Sequence, residues 1–540
     1  MLPVRVATFQ VLERLGIGYR AEIVWWHETC DDVREKSCVL ALMRGNVTLR
    51  KIAGVVVALR VEQRMGWWRY FAVMVPWIML LKQQFTPQVV QKKRHLEILH
   101  DLLEPLMLKH GRSIRVDVDK LGDKAEHRVH ATGNDWIWWR RLLAQDDLTF
   151  FFESDPLGLE RLVIVDRDAA LPPITLWQDS GYLHHASIKQ KIVNHETECL
   201  LSVQRCFKKQ GAEPIFNGRT QAMCVAAGYT AMLHIDDASE GFASSGSTDD
   251  VVFHRVEHRG FFPDAMPFSK VRERLNMRYM CRFTACGRSQ SIAAPMPDFK
   301  PMHGVQIARV IKPRMISGWR PLPRGTSVGA SNPKLKRALK FLEGASDDVH
   351  IDGRGRIAIQ FDWQDGSDNS FVWAMVSQPL ASRSAGSSFI PRVGMQVAIQ
   401  CADGDPDLPV VVGCLYNEHH GLMPLPITLP FARYQVGIRS GGVPFAGKIG
   451  PGHALILDDT PLSEHVTLHS GKDMKMRAEQ ALGMEAQNVL IQGDRSIQLR
   501  VGKASLELHA NGALTLNGQT ISILSNAKVK IRGRLIDMAS

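Results

Sequence analysis

The sequence of 540 residues lacks the features that mark disulfide-bonded, zinc-binding or membrane-spanning proteins. Its nine cysteines include no CxxC pair, which argues against a disulfide framework or a zinc ribbon and indicates a reducing compartment. The longest apolar run, Phe71 to Leu81, contains Pro76 and is far shorter than the roughly 20 residues that a membrane-spanning helix needs. The first ten residues show no charged segment followed by an apolar one, so we expect export without a Sec-type signal.

The composition is that of a folded protein with several domains. Hydrophobic residues make up 45% and charged residues 22% of the chain, which predicts a packed core and little disorder. The length favours about three or four domains. The net charge of +11 is spread along the chain and forms no long basic tract. This distribution favours a solvated surface or an acidic protein partner over a nucleic acid.

The C-terminal segment, residues 466–540, reads as a ladder of short strands. Apolar residues alternate with polar ones in blocks that recur about every eight residues, and turn formers such as Asn511-Gly512 and Asn517-Gly518 separate the blocks. A short fixed repeat is typical of a β-solenoid or an intertwined β-helix. One narrow ladder has nothing to pack its apolar face against, so we expect three copies of the chain to surround a common axis.

The residues predicted to line this threefold core are the inward members of the successive blocks. They are Ile497, Leu499, Leu506, Leu508, Leu514, Leu516, Ile521 and Ile523, followed by Val529 and Ile531. Nearer the start of the ladder, Val466 and Leu468 are the apolar members of the alternation and are predicted to face inward. His465 and His469 are then on the outward side of the same strand.

The N-terminal region, residues 1–300, has the pattern of an irregular β-rich domain with a few helices. Strands are predicted at Tyr19–Trp26, Val55–Glu62, Trp68–Trp77 and Leu148–Phe152. Helical spacing covers His95–Lys109 and Asp135–Gln145, and Asn134 or Asp135 can cap the second helix.

Residues 301–350 are rich in Pro, Gly, Ser and Lys and are predicted to form a linker or an exposed loop. Residues 351–420 then read as a compact all-β unit. Its predicted strands begin at Ile357, Phe371, Val397 and Val410 and are separated by Gly, Asp, Asn and Pro turns. About five short strands in some seventy residues predict a small barrel such as an oligonucleotide/oligosaccharide-binding (OB) fold. A Pro-rich neck at 421–465 joins it to the ladder.

Four segments of the predicted barrel carry a family resemblance. They are Gly355-Arg-Ile-Ala-Ile-Gln-Phe-Asp-Trp363, Trp373-Ala-Met-Val-Ser-Gln-Pro379, Phe389-Ile-Pro-Arg-Val-Gly-Met-Gln-Val397, and Asp403-Gly-Asp-Pro-Asp-Leu-Pro-Val-Val-Val-Gly-Cys-Leu-Tyr-Asn417. In order and spacing they resemble the OB core of the valine-glycine repeat protein G (VgrG) family of type VI secretion system spike proteins. The likeness continues through Leu457-Asp-Asp and His469-Ser-Gly-Lys-Asp-Met into the ladder. Upstream, Trp136–Glu153 and Tyr279–Ala285 are similar to the family's hub domain.

The resemblance implies a set of scaffold residues in the OB motif and no catalytic, cofactor-binding or metal-binding residue. The motif residues are Gly355, Arg356, Phe361, Trp373, Gln378, Pro379, Phe389, Pro391, Gly394, Gly404, Asp405, Pro406, Gly413, Tyr416 and Asn417. Trp373 and Phe389 are expected in the barrel core. The glycines at 355, 394, 404 and 413 are expected at strand ends, where positive φ or close backbone approach is needed.

The resemblance also implies an architecture and a set of partners. The expected fold is mainly β: a phage-tail-hub-like N-terminal region, an OB barrel and an intertwined triple-stranded β-helix formed as a homotrimer. The expected role is that of a spike tip that caps an Hcp-like secretion tube, joins a baseplate and delivers effectors. We expect assembly in the bacterial cytoplasm and secretion into the medium or into target cells. A triple β-helix ending near Ser540 presents unpaired strand edges, so a cap is expected there. The resemblance implies that this cap is a PAAR-repeat tip protein.

Other functions compete with this interpretation. The hub and spike of a contractile phage or prophage tail has the same sequence pattern. A hydrolase would use paired carboxylates such as Asp146-Asp147 or Asp458-Asp459, but neither pair has a nearby nucleophile. An OB fold that binds single-stranded nucleic acid would stack bases on aromatic rings and arginine side chains. The candidates are Phe361, Trp363, Trp373 and Arg356.

Metal binding is the remaining alternative, and the sequence gives little support for it. His27-Glu-Thr-Cys30 and His195-Glu-Thr-Glu-Cys199 place possible ligands close together without a second pair at a standard spacing. Packed or surface histidines are the favoured interpretation. His465 and His469 would recur three times around a trimer axis, but their outward phase argues against a shared metal.

Overall fold

The computed structural model describes most of the chain. The described residues are 4–44, 46–119, 121–155, 158–177, 183–185, 187–189, 200–206, 215–235, 247–267, 279–287, 296–298, 300–313, 349–364, 370–416, 433–440, 444–445, 448–449 and 452–537. The predicted linker therefore lies largely outside them, as do Asn417 and His195–Cys199.

The N-terminal region is β-rich, as its composition of aromatic and β-branched residues predicts. Its strands are β1 (Val6–Arg14), β2 (Gly18–His27), β3 (Ser37–Arg44), β4 (Val47–Arg64), β5 (Trp67–Val75), β6 (Gln88–Gln91), β7 (Ser113–Asp117), β8 (His127–His130), β9 (Leu148–Ser154), β10 (Glu160–Asp166), β11 (Thr175–Trp177), β12 (Leu183–His185), β13 (Ser187–Lys189), β14 (Leu200–Cys206), β15 (Ile215–Thr220), β16 (Thr230–Ile235), β17 (Ser247–Phe261) and β18 (Tyr279–Gly287). Its helices are α1 (His95–His110) and α2 (Asp135–Gln145), with 3-10 turns at Trp77–Gln83 and Pro263–Ala265.

One large, mostly antiparallel sheet forms the framework of this region. Its strand order is β14-β15-β18-β17-β1-β2-β5-β4-β3, and β16 pairs with β17 and β13 beside this path. Alternate residues of β1 point into the core, where Phe9 and Val11 are buried. The predicted strands at 19–26, 55–62 and 68–77 are confirmed, except that the last one ends at Val75 and Trp77 begins a 3-10 turn.

The two predicted helices are confirmed and pack with a smaller sheet, β7-β10-β9. Asn134 caps α2, since its side chain accepts a hydrogen bond from the Ile137 backbone N–H at 3.0 Å. Helix α1 ends at Gly111, whose φ of 60° suits a left-handed cap. The buried faces of both helices lie in one hydrophobic cluster with Phe150, whose ring centre is 5.1 Å from that of Trp139 in α2. The aromatic run that follows α2 therefore contributes to the core.

The predicted barrel is a closed five-stranded one. Its strands are β19 (Gln306–Val310), β20 (Ile357–Phe361), β21 (Val372–Val376), β22 (Gln396–Cys401) and β23 (Pro409–Leu415), in the order β19-β20-β21-β23-β22. A 3-10 turn at Ala402–Gly404 follows β22. Strand β19 lies in the segment predicted as a linker, 301–350. The sequence does not predict this strand, because the Pro- and Gly-rich sequence around it obscures its short alternating pattern.

The C-terminal region contains separate small sheets. Its strands are β24 (Gln435–Arg439), β25 (Pro444–Phe445), β26 (Lys448–Ile449), β27 (Ala454–Asp458), β28 (His465–His469), β29 (Ser496–Val501), β30 (Ala504–His509) and β31 (Leu514–Asn517). They form the sheets β24-β27-β28, β25-β26 and β29-β30-β31. Strands β24 and β27 lie within the predicted neck, 421–465, so the strand pattern begins earlier than expected.

The last two predicted blocks of the ladder differ from the structure. Ile521, Ile523, Val529 and Ile531 lie outside the strands of the single chain. A strand requires a hydrogen-bonded neighbour, and no described segment of the same chain pairs with these residues. The alternating pattern therefore indicates a capacity to form strands, but a strand forms only where a hydrogen-bonded neighbour is present.

Candidate functional site: a hub–barrel junction and two exposed apolar faces

The N-terminal region, called the hub from here on, contacts the barrel through the hairpin of β6 and β8. Val89 and Val129 of this hairpin are buried in the same hydrophobic cluster as the barrel strands. Gln91 adds a side-chain hydrogen bond to the Phe371 carbonyl oxygen. The barrel core is therefore completed by hub residues, which joins the two units into one packed body.

Arg356 of the OB motif is the principal charged residue of this junction. Its guanidinium donates to both carboxylate oxygens of Glu126 in the hub, at 2.9 and 2.8 Å, and its Nε donates to Asp352 at 2.8 Å. The same group lies 5.6 Å from the centre of the Trp373 ring. Bidentate Arg–carboxylate pairs fix orientation as well as charge, so Arg356 sets the angle between hub and barrel.

Arg356 lowers the pKa values of its two carboxylate partners, Glu126 and Asp352. Hydrogen bonding to Arg356 lowers the pKa of Glu126, against the opposing effect of its partial burial. For Asp352, burial acts to raise the pKa, but hydrogen bonds from the Arg356 and Arg354 backbone and from the Arg356 side chain outweigh it, so the pKa is lowered. Both carboxylates are therefore ionised when the junction is formed.

The turn between β22 and β23 forms the second contact with the hub. Asp405 pairs with Arg141 of α2 at 2.9 Å. Asp407 accepts from the Val129 backbone N–H at 2.6 Å, and its carbonyl oxygen lies 3.0 Å from Nε2 of His127. The Asp-Gly-Asp-Pro-Asp segment of the family motif, residues 403–407, thus positions the carboxylates of Asp405 and Asp407 against the hub.

Gly404 in this turn has a steric reason to be glycine. Its φ is +74°, and a Cβ built there would lie 2.4 Å from Cβ of Pro301. The turn therefore packs directly on the chain that enters β19. Gly355 and Gly394 also have positive φ, +79° and +90°, as predicted. Gly413 is different: it lies inside β23 at a register shift and not at a strand end.

Trp373 and Phe389, the two aromatic residues expected in the barrel core, do not form its centre. Phe361 is 1% exposed and is the large aromatic of the core, whereas Trp373 is half-buried against Arg356 and Phe371. The expectation for Phe389 is wrong, since its side chain is 52% exposed. Phe389 lies in the loop between β21 and β22, outside the barrel wall, where Gln378 binds its backbone N–H and carbonyl oxygen at 2.9 and 3.1 Å.

The other motif residues divide between buried and exposed positions. Pro391 and Pro406 are buried, and Pro379 and Tyr416 are exposed. The hub residues that complete the junction, Glu126, Arg141 and His127, carry no local sequence signal, since they meet barrel residues more than 200 positions away.

The sheet of β29, β30 and β31 brings six of the eight predicted trimer-core residues onto one face. In the register, Ile497 lies opposite Leu508, which lies opposite Leu514. The next row is formed in the same way by Leu499, Leu506 and Leu516. The face is largely open in the single chain, and Leu514 is 61% exposed. The remaining two residues, Ile521 and Ile523, are also exposed.

The sheet of β24, β27 and β28 has a second apolar face of the same kind, of which the sequence pattern predicts only Val466 and Leu468. Its two rows are Val436, Leu457 and Val466, and Ile438, Leu455 and Leu468. All six side chains are exposed. His465 and His469 lie on the opposite face by register, as the apolar phase predicts. The alternating residues at 436–438 and 455–457 are the signal that could have located this face.

The paired carboxylates serve local structure. Asp146 lies 2.7 Å from Nδ1 of His95, and Asp147 lies 3.7 Å from Arg167. Asp458 accepts hydrogen bonds from Thr460 and Gln435, which makes it a turn-stabilising residue.

His27 contacts Thr29 in an exposed turn. Over the described ranges, no group of three or more His, Cys, Asp or Glu side chains is arranged to hold a metal ion. In the same ranges, no helix is both long and apolar enough to cross a membrane.

The residues proposed for nucleic-acid stacking are engaged within the protein. Phe361 is in the core, and Trp363 stacks on it with ring centres 5.2 Å apart. Arg356 is neutralised by Glu126 and Asp352. An OB fold that binds single strands needs open aromatic faces and unpaired cations, so this geometry favours a scaffold role.

Two family models match the chain. Residues 23–197 match the phage tail baseplate hub family, and residues 346–416 match the type VI secretion system/phage-baseplate injector OB domain. The two matches cover the hub and the barrel in the order that the fold shows.

Known spike proteins are similar in sequence. The type VI secretion system spike protein VgrG4b of Pseudomonas aeruginosa is 34% identical over 131 residues, which are 24% of this chain and 15% of that protein. VgrG1a of the same organism is 26% identical over 239 residues, which are 35% of this chain and 36% of that protein. The matched segments thus span well under half of these relatives.

A solved structure of an Escherichia coli protein, c3393, shares the fold. It is described as a type VI secretion component similar to the phage T4 tail proteins gp27 and gp5. It aligns with a TM-score of 0.54 at 19% identity, over 76% of this chain and 97% of its own. Together with the two family models and the matched relatives, this shows that the chain resembles the VgrG spike proteins of type VI secretion systems and the hub proteins of phage tails.

Proposed function

We propose that the chain is the spike-tip component of a type VI secretion system and acts as a homotrimer. In this proposal the hub surrounds the end of the secretion tube, the barrel forms a collar, and the C-terminal sheets of three chains intertwine into a shaft. The role is mechanical: force applied to the hub reaches the shaft through the Arg356 and Asp405 contacts. Hydrogen bonds between chains would have to break together for the shaft to open.

The observation that carries the proposal is the contrast between the domains. The hub and the barrel bury well-packed cores, whereas each of the two C-terminal sheets carries six apolar side chains on one face. All six are exposed in the β24-β27-β28 sheet, and four of the six are exposed in the β29-β30-β31 sheet. Exposed apolar faces of this extent mark interaction surfaces. Each face consists of two rows of three apolar residues, and the two faces follow one another along the chain. A symmetric assembly of identical chains would therefore cover both faces at once.

The partners follow from the same proposal. An Hcp-like tube protein and the baseplate bind at the hub end, a PAAR-repeat protein binds at the shaft end, and effectors travel with the spike. A VgrG protein of Francisella, which matches 95% of this chain at 11% identity with a TM-score of 0.50, was solved as a complex with PdpA. We propose assembly in the cytoplasm and export by the contractile machine, with no catalytic step by the residues described here.

A charge placed in the apolar face tests the trimer. The wild-type chain should have a mass in solution near three times 60.4 kDa. Leu514→Asp would bury three carboxylates around one axis, and an unpaired buried charge costs several kcal/mol, so we expect dissociation to a species near 60.4 kDa by light scattering. Because Leu514 is exposed in the single chain, the hub and barrel should keep their circular dichroism spectrum.

The matched control is Asn517→Asp, which adds the same charge to the opposite face of β31. This variant should remain trimeric. A wild-type chain that is monomeric at micromolar concentration would refute the proposal, and so would a Leu514→Asp variant that keeps the trimer mass.

A further inference from the structure

The charges of the shaft are segregated along its length. Between residues 477 and 526 there are four cations, Arg477, Arg495, Arg500 and Lys503, and four acids, Glu479, Glu485, Asp494 and Glu507, so the formal charge is zero. Between residues 527 and 537 there are again four cations, Lys528, Lys530, Arg532 and Arg534, but only one acid, Asp537. The distal segment therefore carries an excess of positive charge, whereas the charges of the preceding fifty residues cancel one another.

The structure shows the same contrast in pairing. Arg477 lies 3.1 Å from Glu479, and Arg500 lies 3.9 Å from Glu507. Over the described residues, none of the four distal cations forms a salt bridge, and all four are exposed. Ser525 begins the segment by accepting hydrogen bonds from the backbone N–H groups of Ala527 and Lys528, at 3.2 and 3.1 Å.

The four cations occupy every second position, with Val529 and Ile531 between them. In an extended segment, alternate side chains point to opposite sides. If the apolar residues face the threefold axis, which rests on the proposed trimer, the cations form an outward stripe on each chain. Three chains then present twelve positive charges around a short length of shaft, opposed by three copies of Asp537.

We propose that this stripe, Lys528 to Arg534, binds the anionic headgroups of a phospholipid membrane. A specific protein interface needs a buried apolar centre and a polar rim. In the proposed trimer Val529 and Ile531 would face the axis, which leaves only the four cations on the outward face of this segment. Diffuse clusters of Lys and Arg bind anionic bilayers by electrostatic attraction without a shaped pocket. The shaft thus carries a membrane-contact zone that is separate from its trimer core.

Vesicle co-sedimentation tests the stripe with full-length protein. We expect the trimer to bind phosphatidylcholine vesicles that contain phosphatidylglycerol and to leave pure phosphatidylcholine vesicles unbound. Raising the salt from about 0.1 to about 1 M shortens the Debye length from roughly 10 to roughly 3 Å and should release the protein. Since each cation near an anionic surface contributes about fivefold in affinity, Arg532→Gln alone, which removes three charges per trimer, should weaken binding on the order of 100-fold.

Two quadruple variants separate position from net charge. Lys528→Gln, Lys530→Gln, Arg532→Gln and Arg534→Gln together should abolish vesicle binding. The control replaces Arg477, Arg495, Arg500 and Lys503 by Gln, which removes the same charge from the middle of the shaft, and it should bind at least ten times more tightly than the first variant. Light scattering is run on each protein, so that loss of the trimer, which would contradict the proposed function, is distinguished from loss of membrane binding.

Three results would overturn the inference. The trimeric wild type could fail to bind anionic vesicles at about 0.1 M salt. The two quadruple variants could lose binding equally, which would assign it to net charge. Finally, the wild type could bind an acidic protein or duplex DNA through the same four cations while ignoring vesicles, which would assign the stripe to another polyanion.

Discussion

Removal of the Arg356 side chain should loosen the contact between hub and barrel. In Arg356→Gln the guanidinium is lost from two carboxylates, Glu126 in the hub and Asp352 in the barrel. Arg356 and Asp352 are mostly buried, and hydrogen bonds to charged groups contribute about 1.5–3 kcal/mol. Glu126 is 48% exposed along its side chain, so solvent screening reduces its share to about 0.5–1 kcal/mol. We expect a total loss of about 2–4 kcal/mol.

Native-state hydrogen exchange is the suitable assay, because a protein of several domains does not unfold in one two-state step. The amides of β20 and β21 should exchange faster in Arg356→Gln, while those of the central hub strands should be unchanged. A double-mutant cycle with Glu126→Gln isolates the contact across the junction, for which we expect a coupling of about 0.5–1 kcal/mol. Arg356→Lys keeps the charge but loses the bidentate geometry, and it should recover only part of the protection.

The junction should also weaken in acid. The pKa values of Glu126 and Asp352 are lowered in the folded protein. Their contribution is therefore fully present above the ordinary carboxyl pKa of about 4 and is lost as the pH falls through the lowered folded values. Between pH 5 and 7 the exchange of β20 should be insensitive to this effect. Unchanged barrel exchange in Arg356→Gln, or a coupling near zero, would refute the assignment of Arg356 as the junction residue.

Three further predictions concern the barrel and the hub. Phe361→Ala should destabilise the barrel by about 3–5 kcal/mol, whereas Phe389→Ala should change its stability by less than about 1 kcal/mol; equal effects in chemical denaturation would contradict their different burial. Gly404→Ala should cost about 1–3 kcal/mol, because the new Cβ would meet Pro301 and φ is positive; a melting temperature equal to that of the wild type would show that the turn adjusts freely. Burial raises the pKa of Glu160 to about 8, so its contribution to hub stability is fully present below its ordinary pKa of 4.5 and is lost as the pH rises through 8. Glu160→Gln should therefore flatten the decline of hub stability between pH 5 and 9, and a parallel decline in the variant would argue against this assignment.

Local patterns in the sequence were sufficient for the elements and for the direction of the apolar faces. The helices at 95–110 and 135–145, the cap at Asn134 and four of the barrel strands follow from periodicity and turn chemistry, which depend on neighbouring residues. The alternation of leucines in 497–516 also fixed which side chains share a face, because a β-strand has a period of two. The count and spacing of the short strands predict the barrel, and the four motif segments carry its family resemblance.

Only the tertiary structure decided what the motif residues contact. Arg356 meets Glu126, and Asp405 meets Arg141, across more than 200 positions of sequence, where no local pattern records the pairing. Phe389 reads as a core residue from its composition, but the loop that carries it leaves the barrel wall, and burial is set by three-dimensional packing. Strand β19 and the apolar face of β24, β27 and β28 were missed for the same reason: short strands become recognisable only when their hydrogen-bonded neighbours are known.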